Sequence, residues 1–234
     1  MRGIWEIAGA ILAQSQRRLE SAAANVANIA TPGYKRRVAF SDVLAQDSGA
    51  ARAGRPADST FLDVSAGKLM ETGKPTDLAL AGDGFFILKS DDKQVYSRLG
   101  QFRRDGDGRL VSGDGFALQA KEGGDVVLRD GAFELKPDGT IVQNGAPVAR
   151  VAVAVFAEPS ALASRGGYFE AGDAEPQEVA APALRQGALE ASNVSTGDEM
   201  VTMMESVRRA ESAQRILNTY DDLMGRAIGA FGQF

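Results

Sequence analysis

The chain has 234 residues, 44% hydrophobic and 24% charged, with a formal net charge of −5, a composition typical of a globular protein built as one large domain or a smaller one with long extensions. It contains no cysteine and no histidine, which excludes disulfide scaffolds, thiolate zinc sites, cysteine nucleophiles and every mechanism that needs an imidazole base. The charge is uneven, because residues 1–40 hold six Lys or Arg against two Asp or Glu, an excess too small to indicate nucleic acid as a partner.

The chain opens with "MRGIWEIAGAILAQSQRR". Arg2 followed by an apolar stretch imitates a secretory signal, but Glu6 interrupts the stretch and no small-residue cleavage site follows, so the segment reads as retained. No run approaches 18 apolar residues, and no transmembrane segment is expected. From Trp5 a heptad seam continues through Ala8, Leu12, Ser15, Leu19, Ala22, Val26 and Ile29. This is the period of a helix that packs on another helix, and it predicts a helix over 4–29, about 39 Å long. Pro32 and Gly33 stop it, because Pro disfavours helix at Thr31 and Pro-Gly fits the centre of a type II turn. Asn25 and Asn28 fit either end caps or interchain hydrogen bonds that fix register. The basic run Tyr34 to Arg37 suits the negative end of the helix dipole or a phosphate.

Residues 41–65 show no periodicity and read as an extended linker. Beyond them the pattern changes to short strand-like runs punctuated by Asp83-Gly84, Asp107-Gly108, Asp114-Gly115, Asp138-Gly139 and Asn144-Gly145. Such closely spaced hairpin signals predict a β-rich domain over 68–185. "GDGFF" at 82–86 lacks the third glycine of a dinucleotide loop and the Gly-Lys of a phosphate loop, so it reads as a turn entering a strand. The aspartates at 83, 105, 107 and 114 offer carboxylates for glycoside hydrolysis or calcium, yet "DGDG" is too short for a calcium loop, and Asp before Gly is ordinary turn chemistry. No catalytic residue, cofactor or metal ligand emerges.

A second long helix is expected over 197–230. Thr196 with Glu199 forms a capping box, and Met203, Val207, Ala210, Gln214, Leu217, Met224, Ile228 and Phe231 continue a heptad-like seam broken by Asp221. Ala213, Ile216, Tyr220 and Leu223 flank it. The methionines at 200, 203, 204 and 224 suit buried packing or an adaptable binding face.

"AANVANIATPGYKR" at 23–36 resembles the N-terminal signature of the bacterial flagellar rod and hook proteins. "PTDLALAGDGFFIL" at 75–88, "YSRLGQFRRDGDGRLVSGDGFALQ" at 96–119 and the segment 186–224 resemble the same family. The resemblance implies a non-enzymatic structural subunit of the flagellar basal body, with terminal helices paired as a coiled coil in the inner layer of a tube and a mainly β middle domain outside. It implies an assembly helix and turn over 1–40, an extended linker over 41–67, an outer domain over 68–185 and an assembly helix over 186–234. The implied partners are other rod subunits and copies of the chain in a helical array, with passage through the type III export apparatus into the periplasm-spanning rod without cleavage of a signal peptide. Within the family, the short length and brief 41–65 stretch are most similar to proximal rod subunits; a distal rod or hook type is the alternative. The expected interface comprises Trp5, Leu12, Leu19, Val26, Ile29, Asn25 and Asn28 with Met203, Val207, Ala210, Leu217, Met224 and Ile228, and Thr31, Pro32 and Gly33 redirect the chain. Two other readings of the residues stay open: a carbohydrate-active β-domain enzyme and a soluble adaptor for one partner helix.

Overall fold

The computed structural model describes residues 3–39, 60–90, 93–159, 162–165, 167–172 and 174–231. The linker expected over 41–67 therefore lies largely outside the described residues. Two helices are present among these residues. α1 spans Gly3–Ala27, built mainly of strong helix formers such as Ala, Leu, Gln and Arg. It ends two residues before Ile29, because Asn28 starts a turn in which the Thr31 amide donates to the Asn28 carbonyl at 3.0 Å. α2 spans Thr196–Phe231. The Glu199 amide donates to the Ser195 carbonyl at 3.0 Å, so Ser195 is the cap, one residue before the Thr196 of the expected capping box.

The chain divides into two compact units. The first contains α1, α2, strand β1 (Arg37–Ala39) and the start of strand β2 (Thr60–Leu62), which pairs with β1.

The second unit takes residues 28–36 and 62–194. Its largest sheet is antiparallel and centred on β5 (Phe85–Ser90), which pairs with β6 (Lys93–Ser97) and with the strands Ala117–Leu118 and Val153–Val155. Side chains alternate along β5. Phe86 and Leu88 enter a large core with Leu78, Leu110, Leu118 and Ile141, whereas Phe85 and Ile87 face a smaller aromatic cluster of Tyr96, Phe156 and Phe169. "GDGFF" is thus the entry to a central strand.

A separate three-stranded sheet contains the strands Thr140–Gln143 and Ala146–Arg150, joined by Asn144-Gly145. Both turn residues have positive φ, 53° and 77°, as a two-residue type I′ hairpin requires. The unit extends beyond the expected 68–185. The strand Leu184–Gln186 returns to β4 (Leu78–Leu80), and the strand Ala188–Glu190 to β3 (Leu69–Glu71). Residues 186–190, expected to lead into the C-terminal helix, instead complete strand pairs whose backbone groups would otherwise be unsatisfied.

Candidate assembly interface

Within the first unit α1 and α2 lie side by side and run antiparallel. Trp5 meets Tyr220 edge-to-face, with ring centroids 6.3 Å apart and planes at 90°. Farther along, Ile11, Ser15 and Arg18 line one wall of a groove of about 370 Å³, and Arg208, Ser212 and Ile216 line the other. The residues buried on α1 include Ala8, Ser15 and Ala22, seven apart, and those on α2 include Glu199, Ser206 and Ala213, again seven apart. Small side chains at all of these repeating positions except Glu199 let two helix backbones approach closely. The buried Ser206 hydroxyl is satisfied within its own helix, donating to the Thr202 carbonyl at 2.7 Å.

The larger seam residues lie at the margins of this contact. Leu12, Leu19, Val26, Met203, Ala210 and Leu217 are half-buried, while Trp5, Val207, Met224 and Ile228 are exposed. On α2 the buried line passes through Ser206 and Ala213, one residue away from the expected Val207 and Gln214. The sequence pattern favoured the larger apolar residues, but closest approach selects the smaller ones.

Asn25 is fully buried at the end of α1. Its amide nitrogen donates to the Arg37 carbonyl and its amide oxygen accepts from the Arg37 N–H, both at 2.8 Å. Asn25 therefore fastens the helix end to β1 inside its own chain.

The second unit contains the turn after α1. Asn28 is half-buried, as is Ile29, and the Thr31 hydroxyl lies 3.4 Å from the Asn28 side-chain oxygen. Tyr34 N–H reaches the Thr31 carbonyl at 3.3 Å across Pro32-Gly33, and Gly33 has φ 68°, the geometry of a type II turn. A Cβ at Gly33 would meet the Arg98 carbonyl carbon at 2.5 Å. Glycine is thus required both by conformation and by space.

Two residues later lies a buried ionic cluster. Lys35 Nζ donates to Glu190 Oε1 at 2.7 Å and to the Ser65 carbonyl at 2.6 Å. Gly67 N–H donates to the same carboxylate oxygen at 2.7 Å. Arg98 Nη1 lies 3.3 Å from Glu190 Oε2 and donates to the Gly82 carbonyl at 2.8 Å. Lys35, Arg98 and Glu190 are all but inaccessible to solvent. Burial pulls the Lys35 ammonium below its ordinary range, opposed by its hydrogen bond and charge contact with Glu190. Burial also lowers Arg98, opposed by Glu190 and Asp83. Lys35 is thus no surface charge completing a helix dipole: its positive charge is neutralised from the far end of the chain. Asn193 reinforces the same joint, accepting from Arg36 N–H at 2.7 Å and donating to the Asp63 carbonyl at 2.8 Å.

Glu190, Asn193 and Arg98 are absent from the residues expected from sequence. The available signal was a lone carboxylate closing the apolar strand Ala188–Glu190, a position where an unpaired charge would be costly.

The turn aspartates serve local structure. Asp105 accepts from the Asp107 and Arg109 amides at 3.0 and 2.8 Å and pairs with the Arg109 side chain, while Asp114 accepts from the Tyr168 hydroxyl at 2.7 Å. No group of acidic side chains among the described residues is arranged to hold a metal ion. No described helix is long and apolar enough to cross a membrane.

Three family models match the chain: Flagella basal body rod protein over residues 8–35, Flagellar hook protein FlgE/F/G D1 domain over 79–128, and Flagellar basal body rod FlgEFG protein C-terminal over 185–230. The flagellar basal-body rod protein FlgG of Borreliella burgdorferi is 29% identical, with 97% of each chain covered. FlgG of Bacillus subtilis is 30% identical, covering 91% of this chain and 93% of the relative. The flagellar hook protein FlgE of Treponema pallidum is 36% identical, but over only 42% of this chain and 24% of the hook protein. The likeness to rod proteins thus extends over nearly the whole chain, while that to the hook protein is partial.

Proposed function

We propose that this chain, which belongs to the flagellar basal-body rod protein family and is a structural subunit of that rod, most like FlgG, assembles through an antiparallel coiled coil of α1 and α2. The carrying observation is the division of labour on the helices. Small residues such as Ala8, Ser15, Ser206 and Ala213 are buried on the pair, and large apolar residues such as Ile7, Val207, Met224 and Ile228 remain exposed. Unpartnered apolar residues on a helix pair suit contact with neighbouring subunits, and a heterologous contact that does not close a ring generates a helical array.

In this reading Leu12, Leu19, Val26, Met203, Ala210 and Leu217 stabilise the pair at its margins. Asn25 and the turn Thr31-Pro32-Gly33 fix where the chain leaves α1, with Asn28 and Ile29 between them. The β-rich unit forms the outer layer. The family is a structural one of the flagellar basal body, and its subunits assemble with other rod subunits. Delivery through the type III export apparatus without cleavage of a signal peptide, and a proximal position in the periplasm-spanning rod, belong to the same proposal. The short chain and the brief 41–65 stretch support the proximal position.

Deleting the gene and imaging isolated basal bodies tests this function. Rods missing or truncated in the deletion, and restored by the wild-type chain, are expected; complete rods in the deletion would contradict it.

A further inference from the structure

The groove beside the helix pair and the free end of α2 are complementary. α2 has 36 residues and α1 has 25. Because Trp5, near the start of α1, already meets Tyr220, α2 continues for about 16 Å beyond that contact at 1.5 Å per residue. This overhang exposes Leu223 and Ile228, 58% and 67% accessible, with the exposed carboxylates of Asp221 and Asp222 at its root. The groove has the opposite character. Ile11, Ala213 and Ile216 give it an apolar floor at one end, and Arg18, Arg208 and Arg209 surround the other. Arg209 makes an exposed contact with Glu205, at 4.0 Å, of a kind readily exchanged for a stronger partner.

The spacings agree as well. Seven residues separate Asp221 from Ile228, seven separate Arg18 from Ile11, and seven separate Arg209 from Ile216. On adjacent helices each interval spans about 10 Å. An incoming α2 end running parallel to the host α2 therefore sets its carboxylates among the arginines while Ile228 reaches Ile11 and Ile216.

We infer that the groove between α1 and α2 receives the α2 overhang of a second copy of this chain, with Asp221 and Asp222 meeting Arg18, Arg208 and Arg209. This rests on the rod-subunit reading and specifies one of its contacts. The two surfaces differ, so each copy offers a free groove and a free overhang after docking. The contact propagates along an open array instead of closing a dimer.

The absence of cysteine makes a direct test possible. Isolated basal bodies carrying the full-length Ile216→Cys, Ile228→Cys double variant are treated with a mild oxidant and separated under non-reducing conditions. The two positions lie about 18 Å apart along one helix, so they cannot bridge within a chain. The expected result is a ladder of disulfide-linked chains, with neither single variant forming one. Reversal of Asp221 and Asp222 to Arg, or of Arg208 and Arg209 to Asp, should lower the ladder yield about tenfold, and combining both reversals should restore it.

If the chain is present in the rod but forms no 216–228 ladder, the docking inference is overturned while the rod assignment stands. Equally strong Ile216–Ile216 dimers would replace it with a symmetric contact. Absence of the chain from the basal body would overturn both the rod assignment and this contact.

Discussion

Lys35 Nζ donates to Glu190 Oε1 at 2.7 Å, a buried bond between residues 155 positions apart. It joins the turn after α1 to the strand that precedes α2, and Arg98 approaches the other oxygen of the same carboxylate. Each of the three matched segments supplies one member of this cluster: Lys35 lies in 8–35, Arg98 in 79–128 and Glu190 in 185–230. The entry and exit of the β-rich unit are thus locked by one carboxylate balancing two cations.

That imbalance predicts an asymmetric response to mutation. Glu190→Gln leaves two buried cations without a carboxylate and should cost the β-rich unit about 3–5 kcal/mol. Lys35→Met leaves Glu190 paired with Arg98 and should cost clearly less. Urea unfolding followed by near-ultraviolet circular dichroism measures both, and equal losses would contradict the assignment of Glu190 as the shared counterion.

Gly33→Ala should destabilise the same unit. Positive φ in a non-glycine residue costs roughly 1–3 kcal/mol, and the added methyl group collides with the backbone of Arg98. Gly106→Ala provides the comparison, since nothing lies within 4 Å of a Cβ there and its φ is not positive. The expected outcome is a midpoint well below wild type for Gly33→Ala and a near-wild-type midpoint for Gly106→Ala.

In the helix pair, Ala213→Leu inserts bulk where the residue is 1% exposed and should cost about 1–3 kcal/mol through overpacking. Trp5 is the sole tryptophan and sits against Tyr220, so its fluorescence reports the pair. Its unfolding transition should move to lower denaturant while the β-rich unit keeps its own. Leu19→Arg and Leu217→Arg, at the half-buried margin, should abolish rod assembly with the β-rich unit still folded; normal assembly by both would contradict the coiled coil.

Tyr168 gives the fold an alkaline limit. Burial, with the nearby Asp114 carboxylate adding to it and Ser112 opposing, pushes the phenol up to about 12. A group whose folded pKa is raised stabilises fully below its unfolded value, near 10 for tyrosine, and loses that contribution as pH climbs to the folded value. Stability should therefore fall between about pH 10 and 12. Tyr168→Phe should flatten that part of the profile in pH-dependent urea melts, although it also removes a hydrogen bond worth about 1 kcal/mol at neutral pH.

The helices and the hairpins were legible in the sequence because their signals are local. Heptad spacing marks α1 and α2, and Asn144-Gly145 specifies its turn almost alone. The buried line of α2 was displaced by one residue because periodicity ranks residues by hydrophobicity, whereas the contact is set by how closely small residues such as Ser15 and Ala213 allow backbones to approach. Glu190 was hidden for a different reason. Its significance depends on Lys35 and Arg98, which are brought to it only when the strands Leu184–Gln186 and Ala188–Glu190 return to β4 and β3. Long-range pairing of this kind leaves no periodic trace in a single chain.

The most direct measurement is cryo-electron microscopy of isolated basal bodies at a resolution that separates side chains. Density for this chain is expected in the rod, with α1 and α2 antiparallel in the inner layer, Trp5 beside Tyr220, and the β-rich unit outside. A well-resolved rod that lacks this chain, or that contains it with α1 and α2 apart, would contradict assembly through the helix pair.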